Sequence, residues 1–332
     1  MDLTTSYLGF DLEHPLIVGA SPLVHSLDTV RALEDAGAAA IVMHSLFEEQ
    51  LVQEQLATSS AIDQPANSYA EALSYFPSPT EFKVGPDQYL EQLRRVKEAV
   101  GVPVIGSLNG TSIGGWLEYA RLIEDAGADA LELNIYDLAI DANESSEAVE
   151  KRTLDMIRIV RKTVDVPIAV KLSPFYTALP HFAARLVEAG ADGLVLFNRL
   201  YQPDINVEDL EVVRLHLSDS SELLLRLHWL AILSGQIDAS FAATGGAHTA
   251  IDAIKAVMTG AHAVQLVSAL LRNGPRHITT IRDHMAAWLE DNEYESLRQM
   301  QGSMNLQRCP DPRAYERANY IQLLQSYTPE TV

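Results

Sequence analysis

Residues 123–133 read IEDAGADALEL. The first part is the end of a helix, the Ala-Gly step is a turn, and the remainder is a buried strand. Glycine suits the position just past a helix C-terminus because it takes the left-handed conformation without a Cβ penalty. The phrase recurs as LEDAGAAAIVM (33–43), LVEAGADGLVL (186–196) and AVMTGAHAVQL (256–266). The strand portions lack polar/apolar alternation, as expected where both faces are covered. Two more runs follow Val-Pro, in GVPVIGSLN (101–109) and DVPIAVKLS (165–173). Proline stops the preceding helix and suits a strand's first position.

Extending this count predicts strands at 16–20, 39–43, 103–108, 130–134, 167–172, 193–197, 240–244 and 263–267. Helical patterns separate most of them, such as DQYLEQLRRVKEAV (87–100) and GGWLEYARLIEDAG (114–127). Eight βα repeats predict a (β/α)8 barrel of the TIM type. A doubly wound open sheet is the alternative, but its early GxGxxG loop is missing. Two intervals, about 44–86 and 198–239, are too long for ordinary loops and read as βα insertions over the C-terminal mouth. Residues 273–326 read as polar closing helices. No linker divides residues 1–332, so one domain is expected.

Composition narrows the function classes. The chain has 332 residues, 47% apolar, with 24 Lys+Arg against 45 Asp+Glu, a formal net charge of -21. So acidic a surface repels nucleic acid and anionic membranes, and neither is an expected partner. Cys309 is the single cysteine, too few for an intrachain disulfide, a Cys-ligated iron–sulfur cluster or a Cys-rich zinc site. MDLTTSYLGF at the start resembles no signal peptide, and no stretch approaches the ~18 consecutive apolar residues of a membrane span. A cytoplasmic protein without resident metal is expected.

Residues 243–271, ATGGAHTAIDAIKAVMTGAHAVQLVSALL, hold the ends of the last two strands. In a barrel, the loops after strands seven and eight commonly hold a phosphate. Here they carry Thr244, Gly245 and Gly246, then Val267 and Ser268. Glycine lets backbone N–H groups approach phosphate oxygens, and a helix N-terminus adds a favourable dipole. A side chain at either glycine is expected to fill the phosphate's space. The alternative is a tight turn with no ligand.

In order and spacing, several of these motifs resemble the FMN-dependent dihydroorotate dehydrogenase family over roughly residues 5–275. HPLIVGASPL (14–23) resembles its first strand, which implies that Ala20 and Ser21 contact FMN. LELNI (131–135) and LVLFNR (194–199) resemble its asparagine strands, which implies flavin- and substrate-facing roles for Asn134 and Asn198. VPIAVKLSP (166–174) resembles the strand carrying the flavin lysine, here Lys171. The glycine region above is similar to the family's FMN-phosphate region. Physical reasons run alongside. A lysine beside flavin N1 and O2 stabilises the charge of the reduced ring. Lys171→Met is therefore expected to change reduction potential more than stability. Asn134 and Asn198 can donate and accept, as a planar amide-containing ring requires, although strand-end capping would also explain Asn198.

The departures from the family concern substrate chemistry. The family's Thr-Lys-Ser after strand two is Met43-His44-Ser45, so a lysine becomes a histidine, cationic only conditionally near neutral pH. Ser45 keeps its flavin-side place, and His44 is a catalytic and substrate-binding candidate. The family's Asn-x-Ser-(Cys/Ser)-Pro-Asn loop, whose Cys or Ser is the base, is replaced by NIYDLAIDAN (134–143). Asp137 becomes the candidate base, Tyr136 the next, and the second asparagine is Ala139. PANSYAEALSYFP (65–77) resembles the family's substrate loop, with Asn67 matching its asparagine. The resemblance implies oxidation of dihydroorotate to orotate in pyrimidine biosynthesis, or of a related small acid, with electrons passing to an external acceptor and a homodimer left open. A flavin-free phosphate-binding lyase or synthase, and a flavin-binding protein without turnover, are the alternatives.

Overall fold

The computed structural model describes residues 1–47, 86–110, 113–135, 139–199, 204–209, 211–213 and 217–326. Eight parallel strands close a barrel: β1 (Leu16–Val18), β2 (Ile41–Val42), β3 (Val104–Gly110), β4 (Ala130–Ile135), β5 (Ile168–Leu172), β6 (Gly193–Leu196), β7 (Ser240–Thr244) and β8 (Ala263–Leu266). Each pairs with the next, and β8 returns to β1 with Val264 opposite Leu16. Each of the eight predicted runs overlaps one of these strands, and β3 and β4 extend past their predicted ends to Gly110 and Ile135. An added two-residue strand, Leu46–Phe47, continues past β2 along the edge of β3.

Helices α1 (Leu27–Asp35), α2 (Pro86–Ala99), α3 (Ile113–Asp125), α4 (Ser146–Arg161), α5 (Leu179–Glu188), α6 (Leu223–Leu233) and α7 (Ala250–Met258) follow the strands in turn. Past β8 come α8 (Ser268–Asn273) and α9 (His277–Asp291). Helix α6 and an antiparallel pair, Asp204–Asn206 with Glu211–Val213, lie in the second long interval.

The recurring phrase has a structural meaning beyond its turn. Gly127 takes φ +95°, the left-handed conformation the sequence predicts. The residues flanking it reach out to the neighbouring repeat. Glu124 accepts backbone N–H groups from Asp165 and Val166 at 2.7 and 2.9 Å. Asp129 accepts from Val104 N at 2.7 Å, and Asp192 does the same for Ile168 N at 2.8 Å. Asp129 and Asp192 thus satisfy the first donors of strands that begin after Val-Pro, and Glu124 satisfies two donors of the turn leading into β5.

Outward residues such as Leu131, Leu133, Val170, Leu194 and Phe241 pack beneath the helices. Inward residues change character along each strand. Ile105, Ala130, Ala169, Ala242 and Ala263 form an apolar lower level. Two residues on, where the pleat returns to the same face, stand Ser107, Glu132, Lys171, Thr244 and Gln265. The alanines leave room for a plug. The N-terminal hairpin, Thr5–Tyr7 paired with Phe10–Leu12, inserts Tyr7, Leu8 and Leu12 among them. Gly193 adds to that room, since a Cβ on it would lie 2.6 Å from Leu8 Cδ2 and 3.0 Å from Ser240 O. The barrel is thus closed from below and polar towards its mouth.

Candidate functional site

A cavity of about 480 Å³ opens at the C-terminal mouth. Its walls bring together Ala20, Ser45, Asn134, Lys171 and Asn198 from one set of strand ends. Thr244, Gly245, Gly246, Val267 and Ser268 come from the other set. Residues from positions 20 to 268 therefore share one space. Ser21 is not among the lining residues, and its buried Oγ has no partner among the described residues. Asn67, Tyr136 and Asp137 lie outside the described residues.

Asn134 and Asn198 are held by the protein. Asn134 Nδ2 donates to Ser107 Oγ at 2.8 Å and to Ser45 Oγ at 3.2 Å. Asn198 Nδ2 donates to the carbonyls of Lys171 at 3.1 Å and Ile135 at 3.3 Å. Carbonyl oxygens only accept, so Nδ2 must face them and the amide oxygen must face away. Asn198 therefore caps the ends of β4 and β5, and its Oδ1 has no hydrogen-bond partner among the described residues.

Lys171 is not an isolated ammonium. Its Nζ lies 2.7 Å from Glu132 Oε1, and both side chains are buried. Glu132 Oε2 accepts from Gln265 Nε2 at 2.5 Å. Sequence reasoning passed over both residues. The signal was a charged residue at an inward position of a buried strand, where only a paired carboxylate is tolerated.

The glycine end also differs from expectation. Gly245 and Gly246 have φ +85° and +88°. A Cβ on Gly246 would lie 2.4 Å from Leu223 N and 2.8 Å from Leu223 Cα, so it would strike the start of α6 rather than enter the cavity. On Gly245 it would lie 2.9 Å from Arg226 Nη2. Buried Arg226 ties the two elements together. Its Nε donates to Thr244 O at 3.0 Å and its Nη1 to Glu222 O at 2.7 Å. A lone arginine in the apolar run LLLRLHWLAIL was the readable sign. Arg199, missed as well, lines the cavity and pairs with Glu222 at 3.3 Å.

His44 lies apart from this group. It lines a separate cleft with His25, Asp87 and Glu91. Its ring meets His25 edge-on at 4.5 Å and Tyr89 at 4.9 Å. Burial, and secondarily the charge of His25, push its pKa down to about 4. The conditional cation expected at this position is therefore neutral near pH 7. The unfolded chain binds that proton near pH 6.5, whereas the folded chain binds it only near 4. Stability from this group is complete above 6.5 and is lost as pH falls towards 4, by an amount on the order of 3 kcal/mol. His44→Phe keeps the ring contacts without the titration. Its melting temperature should fall less between pH 7 and 4.5 than the parent's. Equal losses would show that His44 does not titrate in this way.

Comparison with known proteins adds the decisive observation. The dihydroorotate dehydrogenase family profile matches residues 83–289, more than half of the chain. The chain belongs to the dihydroorotate dehydrogenase family. Relatives match over nearly its whole length. The catalytic subunit of an NAD-dependent dihydroorotate dehydrogenase B from Thermoplasma acidophilum is 26% identical over 310 residues, 91% of this chain and 98% of that one. Its counterpart from Methanocaldococcus jannaschii is 24% identical, covering 87% and 94%. A subunit of an NAD-dependent dihydropyrimidine dehydrogenase from Escherichia coli is 22% identical, covering 92% and 77%. Membership places the chain among oxidoreductases and agrees with its barrel. Among the described residues, no helix is long and apolar enough to cross a membrane, and no cluster of His, Cys, Asp or Glu could hold a metal ion.

Proposed function

We propose that this protein is a cytoplasmic FMN-dependent oxidoreductase that oxidises a CH–CH bond in dihydroorotate or a related small acid. The observation that carries the reading is one cavity with a Gly245–Gly246 turn at one end and buried Lys171 and Asn134, with half-buried Asn198, at the other. Its volume lies within the ~300–1,000 Å³ of small-molecule sites. The donors fit FMN. Backbone groups around Gly245, Gly246, Val267 and Ser268 suit its phosphate, and Lys171 and the asparagine oxygens suit its pyrimidine edge. Bound FMN supplies the two-electron acceptor that no side chain here provides.

The chain's own groups position and deprotonate. Asn134 and Asn198 present amide oxygens that orient ring N–H groups. Asp137, two residues beyond β4, is the proposed base, with Tyr136 the alternative and Asn67 a further substrate contact. His44, neutral at pH 7, gives no charge to a substrate carboxylate. Lys171 and Arg199 are the cations that line the cavity among the described residues, each already paired with a glutamate. This weakens the case for dihydroorotate itself and favours a related, less anionic substrate. Electrons would leave to an external acceptor. The Thermoplasma relative is named as one subunit of an NAD-linked enzyme, which supports a separate partner subunit here. A homodimer is equally compatible with that arrangement.

The test is anaerobic titration of purified protein with dihydroorotate. A yellow protein that bleaches establishes the reading. A yellow protein that bleaches only with another dihydropyrimidine moves the substrate, and a colourless protein that binds no added FMN overturns the cofactor.

A further inference from the structure

Glu132 lies under the cavity floor with 1% of its surface exposed. One carboxylate oxygen holds Lys171 Nζ at 2.7 Å and the other holds Gln265 Nε2 at 2.5 Å. The two donors come from β5 and β8, and both residues line the cavity. A carboxylate can only accept, so it dictates which end of the Gln265 amide faces it. Nε2 turns to Glu132, and Oε1 is left over. That oxygen is buried and has no partner among the described residues. From below, Tyr7 brings no counter-charge. Its hydroxyl is also buried and has no partner among the described residues, and burial, then the charge of Glu132, raises its pKa well above the ordinary value.

We infer that Glu132 is a positioning residue, setting both the charge and the hydrogen-bond pattern presented to the flavin's pyrimidine edge. The inference rests on the FMN reading above. That edge carries acceptors at N1 and the C2 carbonyl beside a donor at N3–H. The Lys171 ammonium matches the acceptors, and the orphan Gln265 Oε1 matches the donor. Glu132 does two things at once. Its negative charge cancels much of the Lys171 field, so the bound flavin is harder to reduce than a bare lysine would make it. Its second oxygen holds the glutamine acceptor-side up, which selects a ring with an N–H at that place.

The experiment measures the FMN potential against a reference dye in the parent and in a set of variants. Glu132→Gln keeps the shape and unmasks the lysine. The ratio of reduced to oxidised FMN at a fixed potential should rise at least tenfold, about 30 mV for a two-electron couple. Glu132→Asp keeps the charge and should stay within threefold of the parent. Gln265→Leu removes the acceptor and should weaken FMN affinity at least tenfold. If Glu132→Gln does not accumulate folded, Glu132→Gln/Lys171→Met removes both charges. Its ratio should lie within threefold of the parent, while Lys171→Met alone falls at least tenfold. An unchanged potential in Glu132→Gln, or a double variant indistinguishable from Lys171→Met, overturns the inference while the FMN reading stands. A parent that binds no FMN overturns the FMN reading itself, and this inference with it.

Discussion

Gly246→Val should abolish flavin retention and also lower the stability of the protein. The reason lies in α6. A Cβ at Gly246 meets Leu223 backbone atoms at 2.4 and 2.8 Å, and backbone at a helix start cannot swing aside as a side chain can. The φ of +88° adds strain. A left-handed non-glycine residue costs about 1–2 kcal/mol before any clash. Together these displace the α6 start that Arg226 ties to Thr244, and the turn that presents N–H groups to a phosphate goes with it. Sequence reasoning assigned the loss to a side chain in the phosphate's own space. The geometry moves the cause to the rear of the turn. Absorbance of the purified variant and its melting temperature test this together. Full FMN occupancy would refute the phosphate assignment, and an unchanged melting temperature would refute the clash.

Lys171→Met should destabilise the apoprotein by about 3–5 kcal/mol, the usual cost of removing one partner from a buried ion pair. The expectation from sequence alone was a change in reduction potential larger than the change in stability. With Glu132 at 2.7 Å, the substitution instead strands a buried carboxylate. Glu132→Gln/Lys171→Met should recover most of the loss, because no unpaired charge then remains. Urea denaturation of the apoproteins measures both. Equal stability of parent and Lys171→Met would mean that the pair contributes little to the fold.

Much of this protein was legible in its chain. The barrel followed from a repeated phrase because helix ends, glycine turns and doubly covered strands each leave a local pattern. Gly127, with its left-handed φ, and the eight apolar runs needed no knowledge of distant residues. The positions lining the cavity were also largely legible, since the C-terminal ends of barrel strands converge whatever their side chains.

What each side chain meets there was decided only by the tertiary structure. Glu132 and Gln265 are 133 residues apart along the chain and share a hydrogen bond. The strand pleat puts each on one face, but does not show that one carboxylate spans β5 and β8. His44 sits one residue from Ser45, yet its ring turns to a different cleft and is neutral there. Arg226 reads as an outlier in an apolar helix until β7 is placed beside it. In each case the local pattern specifies a face. The charge state and the partner depend on burial and on a second element, and both arise only when the barrel closes.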